Sequence, residues 1–144
     1  MINKAARYLF EGAFCFTIEM NQVRKVNAME IFYERGCKLF FKKHKNEQKL
    51  IKKLIEQAIV KELATGMSKV KVAAPTRIEG KAIYEFRLNL KTAGSARIAF
   101  AVKNEQVLVL LITSNLQKDS FSRELETSLK GSNYTFNSRS TTPE

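Results

Sequence analysis

The stretch KAIYEFRLNLKTAGSARIAFAVKNEQVLVLLI, residues 81–112, decides the fold. From Lys81 to Leu90, Tyr84, Phe86, Leu88 and Leu90 alternate with Glu85, Arg87 and Asn89, the period of a strand with one face against a core. Lys91 to Ser95, with Gly94, reads as a hairpin loop, and the alternation resumes over Ala96 to Lys103 with Ile98, Phe100 and Val102 on one side. Arg97 therefore faces away from that core. Asn104-Glu105-Gln106 is a second turn, and Val107 to Ile112 is continuously apolar, as expected of a central strand covered on both faces. These residues predict a three-stranded antiparallel meander.

Working outward toward the N-terminus, Leu50, Ile51, Leu54, Ile55, Ala58, Ile59 and Leu63 repeat every three or four residues, which predicts a helix from about Glu47 to Ala64 with one buried face. Asn46 is placed as its N-cap and Gly66 as its stop. Lys49, Lys52, Lys53 and Lys61 fall largely on the exposed side. Cys37 to Lys45 carries Cys37, Phe40 and Phe41 at helical spacing opposite Lys38, Lys42 and Lys45, a short basic helix. Met29 to Tyr33 is β-prone and is followed by a plausible stop at Arg35-Gly36. Val70 and Val72 alternate with Lys69 and Lys71 before Pro75, an edge strand or an extended loop.

Toward the C-terminus, Phe121, Leu125 and Leu129 predict a closing helix over Ser120 to Leu129. Gly131 to Glu144 is polar and reads as a disordered tail. The expected class is α+β: a small antiparallel sheet built as a strand, two helices, a three-stranded meander and a C-terminal helix. The domain spans 29–130, after an N-terminal extension, 1–28, whose structure the sequence leaves open. Within that extension the apolar run Leu9 to Ile18 is broken by Glu11 and Gly12 and is too short to cross a bilayer, which argues against export or membrane insertion.

The chain has 144 residues, 44% of them hydrophobic, which suits one compact domain. Its 25 Lys and Arg against 14 Asp and Glu leave a formal charge of +11, a field that attracts polyanions. Charge alone names no activity, since an acidic protein partner would be served equally. The two cysteines, Cys15 and Cys37, have no metal-like or disulfide-dense spacing, so a reduced, cytoplasmic setting is the simpler expectation. The single histidine, His44, lies in a lysine run. A zinc site or a histidine-based triad is not expected, nor is any other cofactor.

The element order, together with Tyr84-Glu85-Phe86-Arg87-Leu88, Gly94, Arg97-Ile98-Ala99-Phe100 and the apolar strand Val107 to Ile112, resembles the RelE/ParE superfamily of toxins, nearest its RelE-like or HigB-like branch. The resemblance covers about Met29 to Lys130. It implies a toxin of a toxin–antitoxin pair, an endoribonuclease that cleaves mRNA on the ribosome and inhibits translation, and a cognate acidic antitoxin as partner. In such a reaction the 2′-OH of RNA attacks the adjacent phosphate, so the protein has to position the strand and neutralise the phosphorane.

By strand parity Arg87 and Arg97 project from one face as a phosphate clamp. The resemblance places Lys118, of Gln117-Lys118, where the family carries a basic pair, and Glu85 where the family often carries a basic residue; as a carboxylate Glu85 can itself accept a proton from the 2′-OH, and it enters the catalytic set in that role. Lys49, Lys52, Lys53 and Lys81 are the expected RNA-binding lysines. Glu85, Gln117 and Arg123, the last near the place of a late tyrosine, depart from the family pattern. Two other functions stay open: a ParE-like inhibitor of DNA gyrase, which needs no nuclease groups, and a non-catalytic basic binding module.

Overall fold

The computed structural model describes residues 23–26, 29–130 and 132–136. Along the chain run β1 (Val23–Val26), β2 (Met29–Gly36), α1 (Lys38–Lys43), α2 (Gln48–Ala64), β3 (Lys71–Ile78), β4 (Lys81–Asn89), β5 (Ser95–Lys103), β6 (Gln106–Thr113) and α3 (Lys118–Leu129). The class is α+β. One sheet contains all six strands in the order β1-β2-β6-β5-β4-β3. The meander β4-β5-β6 pairs antiparallel as its alternation predicts, whereas β2 lies parallel to β6. The expected antiparallel sheet is thus corrected to a mixed one, enlarged at both edges. The segment after Val70 is a true edge strand, Lys71–Ile78, which continues through Pro75 rather than stopping before it, and the N-terminal extension contributes β1, paired antiparallel with β2.

Period-two alternation sorts the sheet's residues onto two faces, and each face has its own core. On one side Ile31, Phe86, Ile98, Phe100, Val107 and Val109 pack against Phe40 and Phe41 of α1 and Ile51, Ile55 and Ile59 of α2. On the other, Phe32, Ile83, Ala99, Ala101 and Leu108 pack against Phe121 and Leu125 of α3. A register shift opposite Ala99 and Phe100 sends Leu110 and Leu111 both to this second side. Each isoleucine or phenylalanine so enclosed contributes about 1.5–3 kcal/mol relative to exposure.

The helix starts are set less by capping than the sequence suggests. Asn46 does not cap α2; Lys45–Glu47 form a 3-10 turn, and Glu47 takes the cap position without a side-chain hydrogen bond. Gly66 does end the helix, at φ +92°, with the Met67 amide donating to the Glu62 carbonyl at 2.7 Å. The turn between β3 and β4 holds Glu79 and Gly80 at φ +51° and +82°, both left-handed, as a two-residue hairpin requires.

The boundary drawn at residue 130 is also corrected. Phe136 is 1% exposed in the second core, and its amide donates to Glu79 Oε2 at 2.9 Å. Ser132 accepts from Arg35 and donates to the Ser128 carbonyl. The chain from 132 to 136 is therefore strapped across the α3 side of the sheet; residues 137–144 and 1–22 lie outside the described residues.

The stop placed at Arg35-Gly36 proves to be the last residues of β2, and the glycine there serves a close approach. A Cβ on Gly36 would stand 2.1 Å from the Leu110 carbonyl oxygen and 2.7 Å from Ser128 Oγ. Gly36→Ala must push β2 away from β6 and α3, at a cost of about 1–3 kcal/mol. A urea unfolding midpoint lowered accordingly is the expected result, and an unchanged midpoint contradicts this packing.

Candidate nucleic-acid interface

Arg87 on β4 and Arg97 on β5 are directly opposed in the antiparallel register. Their side chains share the α3 side of the sheet, as strand parity predicts, with Cα atoms about 5 Å apart. Two like charges so placed repel, and the arrangement works against the stability of the hairpin. A sheet selected only for stability has no use for it.

Glu85 relieves part of this repulsion. It lies two residues before Arg87 on the same face, is 3% exposed, and forms an ion pair with Arg97 Nη1. Arg97 Nε also donates to the Leu116 carbonyl at 2.8 Å, and its guanidinium carbon stands 5.7 Å from the centre of the Phe121 ring. Arg97 is thus fixed by three elements: β4, the loop after β6, and α3. Nearby, Thr113, the register partner of Arg97, donates to Glu124 Oε1 at 2.9 Å and ties the end of β6 to α3.

Arg97 faces away from the core covered by α1 and α2, as its alternation predicts, and is held at the rim of the second core. Glu85, expected as a proton acceptor, is buried and paired with Arg97. Arg87 keeps the exposed position, and its side chain has no hydrogen bond or ion pair among the described residues. The pair is therefore one anchored guanidinium beside one free one.

Of the remaining expected residues only Lys118 comes near this place in the chain. Lys118 is exposed at the start of α3, two residues after the Leu116 carbonyl that Arg97 holds. Lys81 shares the face of Arg87 by parity but stands six residues earlier on β4, about 20 Å away. Lys49, Lys52 and Lys53 belong to α2, which covers the opposite face of the sheet. Lys52 is not on an open helix surface either: its ammonium lies 5.1 Å from the Tyr33 ring centre and 5.2 Å from that of Phe41.

The placement of carboxylates sharpens the basic surface. Glu34, Glu56, Glu62 and Glu85 are all buried. Glu56 accepts from the Tyr33 hydroxyl at 2.8 Å, and Glu62 accepts from the Lys69 amide at 3.1 Å. Lysines and arginines meanwhile stay mostly outside, so the exposed charged groups are predominantly cationic.

Other chemistry finds little support in the geometry. Cys37 is enclosed, its thiol donates to the Val109 carbonyl at 3.2 Å, and burial pushes its pKa up, away from the reactive thiolate. Among the described residues no cluster of three or more His, Cys, Asp or Glu is arranged to hold a metal, and no helix is long and apolar enough to cross a membrane. Comparison with family models, curated proteins and solved structures found no match.

The opposed arginines make a stability prediction that a merely structural ion pair does not. Arg87→Gln removes the repulsion and should stabilise the protein by about 0.2–1 kcal/mol at low salt, a gain that fades as salt screens it. Glu85→Gln leaves the part-exposed Arg97 without its ion-pair partner beside Arg87 and should destabilise by about 1–3 kcal/mol. Urea unfolding at low and high salt measures both, and an Arg87→Gln variant less stable than wild type contradicts the reading.

Proposed function

We propose that this chain is a RelE/ParE-like toxin of a toxin–antitoxin pair, a ribosome-dependent mRNA endoribonuclease that inhibits translation. The observation that carries the proposal is the directly opposed pair Arg87 and Arg97, retained on the sheet at an electrostatic cost. Two guanidiniums side by side suit one polyanion, the phosphorane formed when a 2′-OH attacks the neighbouring phosphate. Anchoring of Arg97 by Glu85 and Leu116 removes the need to organise that group during reaction. The parallel pairing of the first long strand with the last, and two helices on the opposite face, are compatible with the fold that the sequence resembles.

In this reading Arg87 meets the scissile phosphate from the solvent side and Arg97 from the rim of the core. Lys118 approaches from the start of α3, where the family resemblance puts a basic residue. Glu85 acts through Arg97 as a positioning residue. The new bond from the 2′ oxygen to phosphorus replaces the bond to the 5′ oxygen, which leaves as a 5′-OH; the proton lost by the 2′-OH and the one gained by the 5′ oxygen pass through water or groups supplied by the ribosome, because Glu85 is already committed to Arg97. The partner that silences the toxin is a cognate acidic antitoxin, and the setting is the cytoplasm.

The commitment of Glu85 also favours a second reading, a ParE-like gyrase inhibitor, in which the arginine pair binds without cleaving. Inducible expression without a partner gene, with mRNA 5′ ends mapped, separates the two. Wild type should arrest growth and create new in-frame cleavage sites, and Arg87→Ala combined with Arg97→Ala should abolish both. Arrest without cleavage transfers the assignment to gyrase, and absence of arrest leaves a basic binding module.

A further inference from the structure

Lys71, the first residue of β3, is the register partner of Glu85. Partners in an antiparallel ladder project to the same side, so Lys71 joins Arg87 and Arg97 on the α3 side of the sheet. Arg87 follows Glu85 by two residues, which makes Lys71 its diagonal neighbour at about 7–8 Å. Three adjacent strands thus present one cation each: Arg97 on β5, Arg87 on β4 and Lys71 on the edge strand β3.

The carboxylate between them offsets only part of the row's charge: one anion stands among three cations. Glu85 is paired with Arg97, and Lys71 is exposed, with no hydrogen bond or ion pair among the described residues. Two further carboxylates on this side are engaged elsewhere: Glu124 accepts from Thr113, and Glu79 accepts from the Phe136 amide and pairs with Lys103. Beyond Arg97 the row continues through Leu116 to Lys118. The three strand cations lie across the strand direction, and Lys118, exposed at the start of α3, follows two residues after the carbonyl that holds Arg97.

We infer that Lys71 is an RNA-binding residue that extends the arginine pair into a phosphate-backbone track, running across the strands from Lys118 over Arg97 and Arg87 to the β3 edge. This rests on the reading of the arginine pair as an RNA site and adds a direction and an exit to it. Contacts of this kind grip the backbone without reading bases, because the row offers ammonium and guanidinium groups and no aromatic platform. The lysines of α1 and α2, on the far side of the sheet, do not belong to the track.

The test is binding of a labelled single-stranded oligouridylate to the full chain, followed by fluorescence anisotropy over a range of salt. Each phosphate contact contributes about 0.7 to the slope of log affinity against log salt for a single strand. Lys71→Gln and Arg87→Gln are each expected to weaken binding several-fold at low salt and to reduce the slope by about that amount. Lys43→Gln, on α1, should change neither. If Arg87→Gln lowers the slope and Lys71→Gln does not, the track is wrong while the arginine site stands. If neither variant has an effect, the track and the site both fall. Equal effects of Lys43→Gln and Lys71→Gln identify a diffuse polycation and overturn the inference.

Discussion

Pairing on both edges of β6 is the constraint from which the rest of the architecture follows. An apolar strand hydrogen-bonded to β5 on one side and to β2 on the other must be covered on both faces. Because β2 runs parallel to β6, the chain cannot turn straight from one into the other; α1, α2 and the strands β3 to β5 lie between them. The two helices fill one face, and α3 with the strap at 132–136 fills part of the other. What remains uncovered is the end of the sheet where β4 leaves and β5 begins, and there the arginines sit.

The meander was legible because its periodicity is local: Tyr84 to Leu90 and Ile98 to Val102 each announce a face within a few residues, and α2 does the same over four turns. The shared face of Arg87 and Arg97 followed from that alternation. The parallel pairing of β2 with β6 was not legible, since register between distant strands depends on tertiary packing. For the same reason Lys71 gave no signal: its alternation with Val70 and Val72 was visible, but its position opposite Glu85 arises only when β3 docks on β4. Phe136 is not legible because two aromatics, Tyr134 and Phe136, in a polar segment are too few to show a period, although both pack on the core shared with α3.

Glu85 shows how the same residue reads differently once its surroundings are known. In sequence it is an acid among arginines on a strand, available for proton transfer. In the folded chain it is 3% exposed and its charge is spent on holding Arg97. The division of labour that results, one guanidinium fixed and one free, is a reasonable design for binding a group whose charge grows during reaction. On the proposed ribonuclease reading it places the burden of proton transfer outside the pair, and the net positive charge of the chain suits encounter with a polyanionic assembly.

The central claim is that the arginine pair promotes attack of a 2′-OH on the adjacent phosphate. It is tested most directly by incubating the purified chain with ribosomes translating a defined mRNA and determining the chemistry of the fragment ends. The account predicts fragments ending in a 2′,3′-cyclic phosphate and beginning with a 5′-OH, formed only when ribosomes are present. Intact mRNA, or fragments beginning with a 5′-phosphate, contradicts it.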